Sequence, residues 1–238
     1  MLLFLVFSEL NIGTDIFQTE SFEDEDSKYY PLEEQYFHEY GRFFGFHVGI
    51  GHTTFTHMRR KAYVDIPPTL HLSLRYFFNL HLSCNVGFEY SFHQMMINTP
   101  VNGYDDPNDL LGRVSTYIPR IFLAIRYAPD VSKYSRILLF SNPYITFRGE
   151  YVYHKNIFPD RTDLSTEITY DMGIALGFGI EIPLKKNNTF FNLEFLFHMI
   201  NFSDQYTINY RKISTSSYGY DDLQGYTLSL IGSLNICW

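Results

Sequence analysis

The chain has 238 residues, 45% of them hydrophobic and 18% aromatic, with a formal charge of −8 and two cysteines. No stretch approaches the ~20 consecutive apolar residues of a spanning helix, which excludes a helical membrane protein but not one built from alternating strands. Ten of the 26 acidic residues, but only Lys28 of the 18 basic ones, fall in residues 1–40, so the rest is nearly neutral and offers no basic patch to nucleic acid.

At the start, Leu2 to Phe7 is apolar but lacks a preceding basic residue and is shorter than the ~7–15 residues of a secretory core. Residues 1–13 are read as the remnant of a signal peptide. Residues 14–41 carry Glu23-Asp24-Glu25-Asp26 and no hydrophobic period, as an acidic tail does. Tyr29, Tyr30, Tyr36, Phe37 and Tyr40 would give that tail anchors on a basic partner.

Residues 42–238 show a period-2 pattern that recurs eight times. The first strand sets Phe44, Phe46, Val48 and Ile50 against Gly45, His47, Gly49 and Gly51. The second sets Leu70, Leu72, Leu74 and Tyr76 against His71, Ser73 and Arg75. The third alternates Leu82, Cys84, Val86, Phe88, Tyr90 and Phe92 with Ser83, Asn85, Gly87, Glu89, Ser91 and His93. In the fourth, Tyr117, Ile121, Leu123, Ile125 and Tyr127 oppose Arg120, Phe122, Ala124 and Arg126. In the fifth, Ile145, Phe147, Tyr151 and Tyr153 oppose Tyr144, Thr146, Arg148 and Glu150. The sixth alternates Tyr170 through Ile180 with Asp171 through Glu181, and the seventh Phe191 through Met199 with Asn192, Glu194, Leu196 and His198. The last sets Tyr226, Leu228, Leu230, Leu234, Ile236 and Trp238 against Thr227, Ser229, Ser233, Asn235 and Cys237.

The intervening segments alternate too. Short ones follow the second, fourth and sixth strands; long ones are expected over Thr54 to Thr69, Gln94 to Arg113, His154 to Glu167 and Asn201 to Leu223. Short turns at one rim and long loops at the other mark transmembrane barrels. The expected fold is therefore an all-β, eight-stranded antiparallel up-and-down transmembrane β-barrel, with both termini periplasmic.

A soluble barrel would place the apolar face inside. That face carries too many Phe, Tyr, Leu and Ile side chains for the interior of eight strands. The polar face, moreover, holds no lysine: Lys28, Lys61, Lys133, Lys155, Lys185, Lys186 and Lys212 all fall in the predicted tail, loops or turns. The apolar face is assigned to lipid, with strand-end Phe and Tyr as interfacial girdles.

The chain ends Leu234-x-Ile236-x-Trp238, which looks like the C-terminal aromatic signal that outer-membrane barrels present for assembly. Tyr117-Ile118-Pro119 opens one strand, Asn142-Pro143-Tyr144 the next, and Asp171-x-Gly173-x-x-x-Gly177-x-Gly179 the sixth. With these pieces residues 42–238 resemble the small outer-membrane β-barrel proteins of the OmpA/OmpX type, and less closely the PorT-like barrels of type IX secretion. The resemblance implies a bacterial outer-membrane location, contact with outer-membrane lipids, and handling by the barrel-assembly machinery during insertion.

The inner face is expected to hold a polar network of Arg75, Glu89, Arg120, Arg126, Arg148, Glu150, Asp171, Glu181 and Glu194, a salt-bridged filling rather than an ion path. Some barrels of this size are enzymes acting on lipid A, which makes Glu89-x-Ser91-x-His93 and the pair Glu194 and His198 candidate hydrolase groups. A lipid A deacylase carries His-x-Ser on a strand, and here Ile200 stands two residues after His198 and the order at His93 is reversed. His47, His71, His93 and His198 share the inner face without a zinc spacing. Asp105-Asp106, Asn108-Asp109 and Asp221-Asp222 lack the periodicity of a calcium loop. No catalytic residue, metal or cofactor is assigned. Tyr206, Tyr210, Tyr218 and Tyr220 in the last long loop have the composition of a recognition surface. The expected function is a non-enzymatic membrane-embedded scaffold or surface-interaction protein. The alternatives are an accessory component of an envelope secretion or motility complex, and a lipid-modifying enzyme.

Overall fold

Strands with one apolar and one polar face need two different surroundings, and a closed cylinder supplies both without leaving an unpaired edge. A computed structural model describes residues 43–101, 110–129, 141–184, 189–200, 209–213, 218–221, 223 and 225–238. Eight strands run β1 Phe44–Phe55, β2 Tyr63–Phe77, β3 Leu82–Ile97, β4 Gly112–Tyr127, β5 Asn142–Ile157, β6 Glu167–Pro183, β7 Thr189–Ile200 and β8 Thr227–Cys237, with a one-turn helix α1, His57–Ala62, after β1. Each strand pairs antiparallel with its sequence neighbour, and β1 pairs with β8 to close the barrel. The seam is sealed to its end: Trp238 N–H donates to the Phe44 carbonyl at 2.9 Å, and Phe44 N–H to the Trp238 carbonyl at 3.2 Å. The predicted acidic tail, residues 14–41, and residues 1–13 lie outside the described residues.

Exposure divides the strands as the alternation requires. Phe46, Val48, Leu72, Val86, Leu123, Phe147, Ile174, Phe195 and Leu230 face outward, whereas Arg75, Glu89, Arg120, Arg126, Arg148, Glu194 and His198 are buried inside. Among the described residues no charged side chain stands on the outward face between Phe44 and Ile50 of β1, Leu70 and Tyr76 of β2, Val86 and Phe92 of β3, Ile121 and Tyr127 of β4 or Ile145 and Tyr153 of β5. An outside of Leu, Ile, Val and Phe around a charged interior is stable only where the outside meets hydrocarbon. The barrel spans a membrane.

The strands are longer than the alternation announced. A tilted strand crosses the hydrocarbon in ~9–11 residues, yet β2 to β6 run to 15, 16, 16, 16 and 17 residues. The surplus lies at the long-loop end, so the segments expected as loops are entered by strand: β1 and β2 take up much of Thr54 to Thr69, β3 and β4 reach into Gln94 to Arg113 as far as Ile97 and Gly112, and β5 and β6 reach into His154 to Glu167 as far as Ile157 and Glu167. Lys155 accordingly sits in β5, not in a loop. The reason is a change of solvent. Beyond the hydrocarbon the outside is aqueous, and in β3 and β4 the inward series turns apolar in mid-strand, whereas β5 keeps His154 and Asn156 buried and β6 keeps Ile168 and Tyr170 exposed. In β3 the inward series passes from Glu89, Ser91 and His93 to Met95 and Ile97, while Gln94 and Met96 turn outward. With methionine on both faces the alternation loses its contrast there.

The ends beyond the hydrocarbon build a second core. Phe55, Tyr63, Met95, Ile97, Val101, Leu111, Val114, Ile118, Val152, Phe158, Tyr210 and Leu223 form one buried apolar cluster across the mouth at the long-loop end. The interior is thus layered, with charges at membrane depth and a hydrophobic plug above them.

Candidate functional site

The register of the ladders decides which inward side chains meet. Pairing sets Glu89 opposite both His71 and Arg120, and Glu150 opposite Phe122. Across the narrow lumen the arginines then reach acids on distant strands. Arg75 pairs with Glu181 at 2.5 Å, and Arg126 bridges Glu181 at 3.3 Å and Glu194 at 3.2 Å. Arg148 joins Glu194 and Glu89, each at 2.5 Å, and Arg120 reaches Glu89 at 3.7 Å. Four arginines balance four glutamates once Glu150 is included, and alternating signs run the length of the membrane segment. Such charges are retained in low dielectric only when paired and hydrogen-bonded.

Aromatic rings complete the packing. The Arg148 guanidinium lies 4.2 Å over the Phe122 ring and that of Arg126 4.2 Å over Tyr144, a geometry that favours cations over π faces. Phe122 reaches that place because β3 carries Gly87 there, where an added Cβ would strike the Phe122 ring and the Ser73 side chain. Asp171, the remaining predicted member of the network, is half-buried near the outer end of β6.

The histidines form a pattern that sequence spacing did not reveal. His198 places Nδ1 2.9 Å from Glu150 and Nε2 2.9 Å from Ser229 Oγ. His71 does the same with Glu89 at 3.0 Å and Ser73 at 3.2 Å, and His93 with Asp65 at 3.1 Å and Ser91 at 3.2 Å. All three are acid–histidine–serine relays. Their members differ from the sets weighed from the sequence: Glu89 serves His71 instead of His93, and His198 takes Glu150 instead of Glu194. Cross-strand register, unreadable from one segment, makes the choice. Each serine is buried, with Ser229 at 1% exposure and Ser73 at 3%. Phe55 and Tyr63 rings close over His93 at 4.6 and 6.4 Å, and Phe122 stacks on His71 at 5.5 Å. A nucleophile needs room beside it for the carbon it attacks; these hydroxyls are enclosed. His47 also faces the lumen, and neither of its ring nitrogens has a hydrogen-bond partner there.

At the long-loop mouth the connecting segments are tied to one another. Arg59 of α1 donates from Nε to the Leu223 carbonyl at 2.8 Å, and Tyr220 donates to the Lys61 carbonyl at 3.4 Å. Val101 and Lys212 form an isolated antiparallel bridge, Ile213 N–H donates to the Pro100 carbonyl at 3.3 Å, and Lys212 pairs with Asp221 at 2.9 Å. Gly219, at φ +116°, lies close against Lys212 and Thr99, where an added Cβ would strike both. Arg113 grips Asp160 by its backbone N–H at 2.9 Å and its guanidinium at 3.3 Å. That backbone bond, with the guanidinium behind it, holds the Asp160 carboxyl below the usual carboxylate range, and hydrogen bonding to Arg161 pulls Asp163 down to about 2.

The loop tyrosines divide. Tyr218 projects into solvent at 79% exposure, whereas Tyr220 is half-buried. Tyr210 departs from the expectation of an outward contact: at 1% exposure it belongs to the plug, with its hydroxyl bonded to Glu167 and 3.0 Å from Asn156 Nδ2. Tyr206, Asp105, Asp106, Asn108, Asp109 and Asp222 lie outside the described residues. The terminal trio Leu234, Ile236 and Trp238 stands in a row on the lipid face of β8, with Trp238 58% exposed. Among the described residues no cluster of His, Cys, Asp and Glu has the geometry of a metal site.

Comparison with protein-family models finds no match, and comparison with curated proteins finds none either. Among solved structures the chain is similar to the Neisserial surface protein A, with 12% identity, 82% of this chain and 97% of that one covered, and a TM-score of 0.48. The attachment invasion locus protein of Yersinia pestis is similar over 83% of this chain and 99% of that one, at 9% identity and a TM-score of 0.44. The N-terminal β-barrel domain of Pseudomonas aeruginosa OprF matches at 11% identity, over 82% and 98% of the two chains, with a TM-score of 0.40.

Proposed function

We propose that the protein is a non-enzymatic barrel of the bacterial outer membrane that presents a pre-organised outer platform to surface partners. The observation that carries this reading is the mutual tethering of α1 and the segments around Val101, Asp160 and Lys212 above a filled interior. An ion-paired lumen beneath an apolar plug argues against conduction, and the described connecting segments are tied to one another, the pre-organisation that lowers the cost of receiving a partner. The enclosed serines favour the same choice over lipid-modifying chemistry. In this reading Tyr218 and the exposed side chains of α1 offer contact area, and both termini face the periplasm.

The test is extraction of the full protein from outer membranes in mild detergent, followed by native sizing and composition. A lone particle near the 28.1 kDa of the chain supports a free-standing barrel acting through its loops. Stoichiometric larger envelope proteins in the particle would instead make it a component of a secretion or motility machine. The acidic residues 14–41 are the proposed docking segment for that second role, and deleting them would then release the partners.

A further inference from the structure

Beyond the outer platform, the lateral wall carries a feature that the barrel fold does not require. Pro119 stands inside β4, a strand paired on both sides. Proline has no N–H to give the ladder, which is why it is rare in such positions. The β3 side of β4 is continuous, with Tyr90 opposite Pro119. On the β5 side the ladder runs to Tyr117 opposite Lys155, skips Ile118 and Pro119, and resumes in the same register at Arg120 opposite Val152. The outer surface dips at this interruption. Tyr90, Tyr117, Pro119, Tyr153, Lys155 and Ile157 line a groove of about 430 Å³ there, within the size range of small-ligand sites.

Its height on the barrel identifies what it meets. Along β5 the lipid-facing series begins at Ile145, and Lys155 follows ten residues later. At a rise of ~3.3 Å per residue and a tilt of ~40°, that separation is ~25 Å along the membrane normal, the full height of an apolar barrel band. The groove therefore opens sideways at the headgroup level of the long-loop rim, which is the outer leaflet in the orientation proposed above. Its lower walls are tyrosine rings, and its upper rim is a lysine. Lys155 faces Tyr117 on one flanking strand and Ile168 on the other, neither of them acidic. Among the described residues it forms no ion pair. A cation standing over an aromatic cleft that is open to the bilayer is complementary to a lipid with an anionic phosphate at the same height as its head and acyl chains below.

We infer that the groove between β4 and β5 binds one phosphorylated lipid of the outer leaflet, with Lys155 on the phosphate and an acyl segment against Tyr90, Pro119 and Tyr153. Native mass spectrometry of the full-length barrel, with dioleoyl phosphatidic acid and dioleoyl phosphatidylcholine as competing probes, tests it. Wild type should retain one phosphatidic acid about fivefold more strongly than phosphatidylcholine, the factor one lysine contributes against an anionic surface. Lys155→Met should remove that preference while Lys155→Arg keeps it. Tyr153→Ala should lower retention of both lipids without disturbing the backbone. Heat-modifiable migration reports closure of every variant. Equal preference in wild type and Lys155→Met would overturn the inference. Displacement of phosphatidic acid by millimolar inorganic phosphate would overturn it as well, since the site would then read a free anion instead of a lipid.

Discussion

Removing Arg148 is the sharpest test of the layered interior. This side chain joins Glu89 to Glu194, both at 2.5 Å, and covers the Phe122 ring. In Arg148→Met the volume is roughly kept, but two buried carboxylates lose their shared cation. Glu194 keeps Arg126 at 3.2 Å, while Glu89 keeps His71 at 3.0 Å and the longer contact to Arg120 at 3.7 Å. Breaking a buried pair from one side costs ~3–5 kcal/mol, because the partner stays desolvated. With a urea slope of ~2 kcal/mol/M the midpoint falls by ~1.5–2.5 M. The assay is reversible urea unfolding of the barrel in micelles, followed by tryptophan fluorescence of Trp238 and by heat-modifiable migration. A loss below ~1 kcal/mol would mean that water reaches both carboxylates, and the interior would not be the dry, paired filling described above.

Planar-bilayer recordings of the wild type should show no stable conductance, because the plug caps the ion-paired segment; large reproducible channels would contradict both layers. Ser229→Ala and Ser91→Ala should leave the lipid A of expressing cells unchanged and cost about 1 kcal/mol each for the lost hydrogen bond, whereas a changed lipid profile would return the enzyme reading. Leu123→Arg, at the middle of the lipid-facing band of β4, should destabilise by ~2–4 kcal/mol, and a neutral result by urea titration would remove the membrane from the argument. The Arg113–Asp160 tie depends on a depressed carboxyl pKa, so it is present above the ordinary aspartate range and is lost as pH falls through the lowered value. The protection of the Gly112 and Arg113 amides, taken as exchange relative to the intrinsic rate at each pH, should fall only on that acid side. Gly219→Val forces a side chain into a left-handed position against Thr99 and Lys212, and should raise protease cleavage in the outer loops while leaving the barrel closed.

Much of this protein was legible in one dimension. Strand number, antiparallel order and the lipid-facing side follow from residues such as Phe46, Leu72, Leu123 and Phe147 alternating with His47, Ser73, Ala124 and Arg148, because a two-residue period leaves only one way to segregate them. Arg75, Glu89, Arg120, Arg126, Arg148, Glu150, Glu181 and Glu194 are buried on the side to which the alternation points them, since charged side chains at membrane depth have nowhere else to go. The outer ends were not. Beyond the hydrocarbon an apolar plug can form inside, so Phe55, Met95, Ile97 and Leu111 are buried where the pattern reads as loop, and Tyr210 is drawn from an apparent contact surface into the plug. Nor were the partnerships legible. Whether His198 meets Glu194 on its own strand or Glu150 across the barrel, and whether Asp65 reaches His93, depends on strand register and on the shear of the closed sheet. Lys155 shows the same division: the sequence excludes it from the lipid-facing band, but only the closed barrel brings it to the rim of a tyrosine-lined groove, because the alignment of β5 with β4 is a property of the pair and of neither strand alone.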